Sequence, residues 1–301
     1  MAFGETRTQV NELLKKLFWS SRPVSWINTA YPFAAAYFFN THRLDDVFWI
    51  GTLFFLIPYN LLMYGINDVF DYESDLRNPR KGGIEGALLD PKFHRPMLLV
   101  STLLPVPFVA FLVARGSLVS DLWLALFLFT VVAYSAKGLR FKEKPLLDSI
   151  TSSSHFFGPM IVGLAMAGFD FGNPGALAVT GAFALWGVAS HAFGAVQDVK
   201  ADREANISSI ATYFGARKTT RFAWLAYLAA GLLMVTTGWP SLLAAAAAVP
   251  YLVIVAPHWN ITDKTCESAN AGWKNFIWLN YIAGFVVTML LIYAYWSSTI
   301  L

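Results

Sequence analysis

The chain has 301 residues, of which 56% are hydrophobic, 16% aromatic and only 14% charged. A water-soluble protein of this length could not bury so much apolar surface, so the composition favours an integral membrane protein in contact with a lipid bilayer. The single cysteine, Cys266, excludes an internal disulfide. The net charge is only +3, without a basic block interleaved with aromatic residues, so no nucleic-acid partner is expected.

Nine apolar segments approach the length of about 20 residues that a helix needs to cross a bilayer. Lipid cannot satisfy free backbone groups, and the segments are continuous rather than alternating, so they predict helices and not a barrel. We therefore predict an all-α integral membrane protein with one transmembrane domain over residues 1–301. The predicted spans are 24–40, 47–66, 96–114, 120–137, 147–168, 176–197, 221–238, 241–257 and 275–297.

The first 20 residues lack the basic start, apolar run and small-residue cleavage site of a signal peptide, and residues 1–22 are expected to form a cytoplasmic lead-in. The stretch NELLKKLFWSSRP predicts an amphipathic lead-in that lies on the membrane surface.

The basic residues predict the orientation of the chain in the membrane. If the N-terminus and the loops after the even-numbered spans share one side, that side holds 20 of the 22 Lys and Arg residues, and only Arg43 and Arg115 lie opposite. Because positive residues are retained in the cytoplasm, we expect these loops to be cytoplasmic in a multi-pass plasma-membrane protein.

The second span ends in the sequence NDVFDYESD. Asn67, Asp71 and Asp75 follow one another at intervals of four residues, which places them on one face of a helix. Asp68 flanks that face, and Tyr64 extends it toward the membrane. The pattern predicts a group of oxygen ligands at the mouth of a membrane helix.

The sixth span ends in a second acidic stretch, HAFGAVQDVKADRE. Asp198 and Asp202 are again four residues apart, and His191 lies on the same stripe one heptad earlier. Both acidic stretches close even-numbered spans, so we expect them to converge on one site. Close carboxylates repel one another unless a cation is present, and oxygen ligands favour a hard cation. Without a calcium-hand pattern, this predicts Mg²⁺ bridging a phosphate group.

Basic and aromatic residues on the same predicted side supply the complement to such a phosphate group. Arginine and lysine can bind the phosphate oxygens that a metal leaves free, although the retention of positive charge also predicts basic loops by itself. A diphosphate head and a hydrocarbon tail would match the polar rim and the apolar interior, as in a prenyl diphosphate. The candidate residues are Arg22, Arg80, Lys81, Tyr134, Arg140 and Lys142.

These motifs resemble those of the UbiA superfamily of intramembrane prenyltransferases. NDVFDYESD is similar to its NDxxDxxxD motif, DVKAD to its DxxxD motif, and YSAKGLRFK to its Tyr- and Lys-containing motif, with Lys137–Gly138 in place of a proline-rich turn. The stretches SRPVSWINTAYPFAAAYFF, RNPRKGGIEGALLDPKFHRP and AGWKNFIWLNYIAGF resemble the lycopene elongase branch of that superfamily.

The resemblance implies a bundle of nine transmembrane helices around a central cavity, and Mg²⁺-dependent ionisation of an allylic diphosphate. It implies that Arg140 and Lys142, with Arg80 or Lys81, neutralise the pyrophosphate, and that Asp68 assists the metal ligands. Among the implied ligands, Asp71 and Asp198 are the expected catalytic carboxylates. The implied metal ligands are Asn67, Asp71, Asp75, Asp198 and Asp202.

An allyl cation must be shielded from water and can be stabilised by aromatic faces. Tyr64, Tyr134, Phe156, Phe157 and Trp186 are candidates for that wall, although ordinary packing would also explain each of them. In the fifth span, TSSSHFFG places His155 near polar residues. His155 or His191 is a candidate to take the final proton, and a structural hydrogen bond between helices is the alternative.

For the acceptor, the resemblance implies a linear carotenoid such as lycopene, with dimethylallyl diphosphate as the donor. The main alternative is an aromatic prenyltransferase of the quinone-forming type. An aromatic acid would need a cation beside its carboxylate, and only Arg22 at the rim of a span offers one. A cation-coupled transporter is a further alternative, but transporter sites lie nearer the bilayer midplane. Whether the product is an alkene or an alcohol stays open.

Overall fold

The computed structural model describes residues 2–76 and 88–300, with the side chains of all of these except residues 2–9, 74–75 and 298–300. Every regular element within those ranges is a helix, which confirms the predicted all-α class. The chain forms two compact units. The first comprises Met1–Arg140 and Gly158–Phe169, and the second comprises Phe141–Phe157 and Asp170–Leu301.

Sixteen α-helices follow one another along the described chain, with short 3₁₀ turns between some of them. The first eight are α1 Ala2–Ser20, α2 Trp26–Thr41, α3 Asp46–Leu56, α4 Pro58–Phe70, α5 Tyr72–Asp75, α6 His94–Leu103, α7 Pro105–Arg115 and α8 Leu118–Ser135. The other eight are α9 Leu147–Met166, α10 Pro174–Val196, α11 Val199–Glu204, α12 Ile210–Phe214, α13 Ala216–Val235, α14 Ala248–Val255, α15 Asn270–Trp273 and α16 Phe276–Ile300.

All nine segments predicted to span the membrane are helical, and six stretches in the described ranges are both long and apolar enough to cross it. The other three predictions correspond to α2, α9 and α13. Helix α2 has only 16 residues, and α13 begins with the polar sequence ARKTTR. The count of nine spans therefore stays a prediction. The six stretches are Asp46–Phe70, Pro91–Arg115, Leu118–Ser135, Pro174–Val196, Ser241–His258 and Phe276–Ser297.

Proline divides the second predicted span into α3 and α4. Pro58 has no N–H, so it ends the ladder of α3 and starts α4 at its first position. The Asn60 side chain donates to the carbonyls of Phe55 and Leu56, both at 3.0 Å, and the Thr29 hydroxyl donates to Phe55 O at 2.7 Å. The break therefore leaves these carbonyls satisfied, and α4 carries the first acidic motif at its end.

Helix α1, the predicted lead-in, packs on the first unit with one face and exposes another. Leu13 and Leu17 pack on a buried cluster that includes Leu61 and Phe93. Lys16 Nζ donates to the carbonyl of Leu88 at 3.0 Å. Exposed apolar side chains recur every four residues along its other face, as expected for a helix that meets lipid. They are Val10, Leu14 and Phe18.

The core of the second unit forms where α10 packs on α13. Small residues such as Ala189, Ala192 and Ala223 are fully buried there and let the two helices approach closely. A hydrogen bond of 2.8 Å joins Ser190 Oγ to the Tyr227 hydroxyl across the pair. The same cluster continues past the end of α10 to Val199, which anchors the helix that carries the second acidic motif.

Candidate active site

The first acidic motif lies at the end of α4 and in α5. The backbone N–H of Asp71 donates to Asn67 O at 2.9 Å, so helical spacing holds between them. The Asn67 amide donates to Asp71 Oδ2 at 2.5 Å and to Ser135 Oγ of α8 at 3.0 Å. The predicted common face of Asn67 and Asp71 is thus present. The side chain of Asp75 lies outside the described residues.

A turn after α8 brings Arg140 to this carboxylate. Arg140 Nη2 lies 3.6 Å from Asp71 Oδ1, and Arg140 Nη1 donates to Phe70 O at 3.4 Å. The turn needs left-handed backbone at Gly138 (φ +91°) and at Arg140 itself (φ +40°). The Asp71 carboxylate is 6% exposed and the Arg140 side chain 30%, so the guanidinium covers the carboxylate and remains accessible.

Asp68, the second residue of the motif, forms a buried ion pair with Arg22. Arg22 Nη2 donates to Asp68 Oδ1 at 2.6 Å, and Nη1 donates to Oδ2 at 3.1 Å. The two side chains are 9% and 0% exposed. The guanidinium also lies over the Tyr64 ring, 5.0 Å from its centroid. The structure therefore brings together three predicted substrate-binding residues, and both oxygens of Asp68 are engaged by Arg22.

The second acidic motif lies at the junction of α10 and α11. Asp198 follows the end of α10, and the backbone N–H of Asp202 donates to Asp198 O at 2.8 Å. The two carboxylates therefore stand one helical turn apart, as predicted, and both side chains are partly exposed. His191 lies on α10, where a hydrogen bond of 3.0 Å joins its Nδ1 to Ser149 Oγ.

Asp148 is a buried acid that the sequence reasoning overlooked. It is 0% exposed in the first turn of α9. Its Oδ1 accepts from the N–H of Ser149, and its Oδ2 accepts from the N–H of Ile210, both at 2.7 Å. Asp148 thereby holds the start of α12, which follows the second acidic motif. An acid at the head of an apolar segment, in PLLDSITSSSH, was the available signal.

The remaining candidates have separate positions. Tyr134 is half-buried on α8, next to the Ser135 hydroxyl that contacts Asn67. His155 is buried in the polar stretch of α9, at 3% exposure. Lys142 is half-buried in the 3₁₀ turn Phe141–Glu143. The loop with Arg80 and Lys81 falls within 77–87, outside the described residues.

An aromatic group in the second unit includes two members of the predicted wall. The ring centroids of Phe156 and Trp186 lie 6.5 Å apart in edge-to-face geometry. Trp186 also meets Phe183 and Tyr251, with centroid separations of 5.5 and 6.2 Å. Aromatic faces of this kind can stabilise a cation.

The donor types at both motifs fit Mg²⁺. Asn67, Asp71, Asp198 and Asp202 offer oxygen atoms, which a hard cation prefers over sulfur or nitrogen. In the described part of the chain, no three His, Cys, Asp or Glu side chains form a metal-binding group by themselves. Metal binding there thus needs further oxygen ligands, such as the Asn67 amide or a substrate oxygen.

Comparison with known proteins identifies the family. The model of the UbiA prenyltransferase family matches residues 29–280. The chain is 51% identical to a lycopene elongase/hydratase of Corynebacterium glutamicum, over 93% of this chain and 98% of that protein. It is 55% identical to a C50 beta-cyclic carotenoid biosynthesis protein of Dietzia, over 94% of this chain but only 65% of that protein's length.

The fold has also been seen before. The structure of a UbiA homologue from Archaeoglobus fulgidus bound to DMAPP and Mg²⁺ matches 91% of this chain and 100% of that one, with a TM-score of 0.66 at 18% identity. At this identity the likeness concerns the fold alone. The family match over residues 29–280 and the 51% identity along 93% of the chain agree with the resemblance inferred from the motifs. The chain belongs to the UbiA prenyltransferase family.

Proposed function

We propose that this protein is a Mg²⁺-dependent prenyltransferase that ionises dimethylallyl diphosphate and joins the C5 unit to the end of a linear carotenoid such as lycopene. The observation that carries the proposal is the contact group of Asn67, Asp71 and Arg140, in which oxygen donors and a guanidinium meet at the end of one helix. Such a group matches a diphosphate and its metal ion.

The leaving group sets the demand on these residues. When the allylic C–O bond breaks, negative charge develops on the pyrophosphate and must be stabilised. Mg²⁺, when bound, would supply most of that stabilisation. Arg140 is accessible beside Asp71 and would pair with the pyrophosphate oxygens that the metal leaves free. In this proposal Asp198 and Asp202 bind metal together with Asn67, Asp71 and Asp75.

The donor is also suggested by a relative. The Archaeoglobus homologue of the same fold was solved with DMAPP and Mg²⁺. A C5 diphosphate presents little apolar surface, so the head group has to provide most of the binding energy. This agrees with the charged contacts around Asp71.

The acceptor is suggested by two observations. The relatives that are 51% and 55% identical carry names of lycopene elongation and C50 carotenoid synthesis. In addition, Arg22, the cation that an aromatic acid would require, is engaged with both oxygens of Asp68. Moving Arg22 to an acceptor carboxylate would leave the buried Asp68 unpaired, which is strongly unfavourable. A hydrocarbon acceptor has no charge that would require Arg22. Separately, membership of an enzyme family weighs against the transporter alternative.

The reaction would end on a second cation. The terminal double bond of the acceptor attacks the allyl cation and forms a new C–C bond, which leaves a tertiary cation on the acceptor. That cation then either loses a proton to a base and gives an alkene, or takes up water, releases a proton and gives an alcohol. His155 and His191 stay the candidates for the base, and His191 is oriented by its hydrogen bond with Ser149.

The test uses membranes that contain the protein, with dimethylallyl diphosphate, Mg²⁺ and either lycopene or 4-hydroxybenzoate. We expect lycopene to gain one and then two C5 units by mass spectrometry, and the aromatic acid to stay unmodified. Asp71→Asn serves as the inactive reference. Glu204→Gln, which removes an exposed acid next to the second motif, is the matched active control. Prenylation of the aromatic acid with lycopene unchanged would replace this proposal by the quinone-type alternative.

A further inference from the structure

Three polar pairs join the stretch that carries Asp198 and Asp202 to residues 260–270, which we name the brace segment. In each pair one partner belongs to residues 197–203 and the other to the brace segment. All three pairs lie within the second unit. They are Gln197 with Asn270, joined by a side-chain hydrogen bond, Lys200 with Glu267 at 3.1 Å, and Arg203 with Asp263 at 2.7 Å.

The order of the pairs defines a face of α11. The helix-side partners are three residues apart, and the brace-side partners run in the opposite chain direction, so the two stretches are antiparallel. At roughly 100° per residue, the paired face is centred about 180° from the face of Asp198 and Asp202. The brace segment therefore contacts the side of this stretch that lies opposite Asp198 and Asp202.

Asp263 makes the most connected of these contacts. Its Oδ2 accepts from Arg203 Nη1, and its Oδ1 accepts from the N–H of Ala216, both at 2.7 Å. Ala216 is the first residue of α13 and is fully buried. Arg203 Nη2 also donates to Thr212 O at 3.0 Å. Asp263 thereby connects α11 to the amino end of α13, where a carboxylate is favourable.

Apolar contacts support the polar ones. Val199 of α11 is buried in the same core cluster as Ile261, Cys266 and Ala269 of the brace segment, none of them more than 6% exposed. The segment is thus anchored in the core next to the helix that it contacts. Because α11 has only six residues, it has little rigidity of its own, and its position depends on these contacts.

We propose that the brace segment is a positioning element of the second acidic motif, with Asp263, Glu267 and Asn270 as positioning residues. They hold α11 so that Asp198 and Asp202 stand at the place where the metal is bound, and they touch neither metal nor substrate. The inference rests on the proposed function, since it assigns a metal to this motif.

The test compares metal dependence in Asp263→Ala, Asp263→Asn and the control Lys264→Ala, which removes an exposed neighbour within the same segment. We expect Asp263→Ala to raise the Mg²⁺ concentration for half-maximal pyrophosphate release about five- to tenfold, at or just below the lower end of the roughly 10- to 100-fold that is typical of residues behind metal ligands. At saturating Mg²⁺, kcat should stay within about twofold of the unmodified protein. Asp263→Asn keeps an oxygen that can accept from the N–H of Ala216. Its Mg²⁺ requirement should therefore fall between those of Asp263→Ala and the unmodified protein.

A second pair supplies a rescue experiment. Lys200→Glu places two acids opposite each other, and the added change Glu267→Lys restores an ion pair of reversed polarity. We expect the single variant to need about threefold more Mg²⁺, and the double variant to recover, in keeping with the small value of an exposed pair. The binding of Mn²⁺ alone can be measured from the loss of the free-ion signal in electron paramagnetic resonance. Mn²⁺ affinity should weaken in the single variant and recover in the double variant.

The outcomes separate this inference from the proposed function. Unmodified protein that binds Mn²⁺ but releases no pyrophosphate would contradict the proposed function. Active unmodified protein, with Mg²⁺ and Mn²⁺ dependences unchanged in Asp263→Ala and Lys200→Glu, would overturn the positioning role. A lower kcat at unchanged metal dependence would overturn it as well. If Asp263→Ala does not fold, Asp263→Asn and the reversed pair decide the question.

Discussion

The buried pair of Arg22 and Asp68 offers the sharpest test of how the first acidic motif is held. Two hydrogen bonds of 2.6 and 3.1 Å join side chains that are 9% and 0% exposed. We consider three variants: Arg22→Met, Asp68→Leu, and the double variant with both changes. Met is close to Arg in volume, and Leu replaces the carboxylate with a somewhat larger apolar side chain, so neither replacement carries a charge.

The magnitude follows from burial. Removing one partner leaves the other charge in a site that water does not reach, which typically costs about 3–5 kcal/mol. Arg22→Met also loses the contact with the Tyr64 ring, which adds about 0.5–1 kcal/mol. Replacing both partners leaves no unpaired charge, and such apolar replacements are often close to neutral. We therefore expect each single variant to be less stable than the double variant by about 3 kcal/mol or more.

The measurement is thermal unfolding of the purified proteins in detergent, combined as a double-mutant cycle. Activity of each variant is measured in parallel with dimethylallyl diphosphate and Mg²⁺. If Asp68 serves mainly to hold Arg22, the double variant should retain activity. Stability losses that simply add would refute the argument from the unpaired charge. A stable but inactive double variant would instead assign Asp68 or Arg22 a direct part in binding.

Asp71→Asn and Asp198→Asn should each abolish pyrophosphate release without lowering the melting temperature, because each variant removes a charged oxygen ligand. Chelation of Mg²⁺ should abolish pyrophosphate release as well. Full activity in either variant would remove that motif from the site. Arg140→Ala should lower kcat/KM for the diphosphate about 10²-fold, because a charged contact to the leaving group is lost. The value for Arg140→Lys should lie between those of Arg140→Ala and the unmodified protein. An unchanged kcat/KM would contradict the role of Arg140. For Asp263, burial raises the pKa, but the Ala216 N–H and Arg203 together lower it below the ordinary 3.8. A carboxyl whose pKa is lowered by folding stabilises the protein above about pH 4, and this stability is lost as the pH falls through the folded-state pKa. The melting temperature of the unmodified protein should therefore exceed that of Asp263→Asn by less at pH 3 than at pH 7. A difference that stays constant would refute this. Single cysteines placed in the loops after the second and sixth predicted spans, in a Cys266→Ser background, should label from the same, cytoplasmic side, and labelling from opposite sides would contradict the topology.

Local features of this protein were readable from the sequence because they depend on neighbouring residues. Long apolar runs predicted the helices, since a chain in lipid must satisfy its backbone groups internally. The interval of four residues predicted that Asn67 and Asp71 share a face, and that Asp198 and Asp202 do so too, because helical periodicity fixes that relation. The division at Pro58 was equally local, and its signal was missed.

Contacts between distant residues were decided only by the tertiary structure. Arg22 and Asp68 are 46 residues apart, and no pattern in either stretch indicates that one neutralises the other. The same holds for Asp148 at the Ile210 amide, 62 residues away, and for the brace segment behind α11. A periodic pattern predicts which face of a helix is polar, but packing determines what that face meets. The sequence thus predicted the polar face at the end of each helix, and the folded chain determined which charges hold these residues in place.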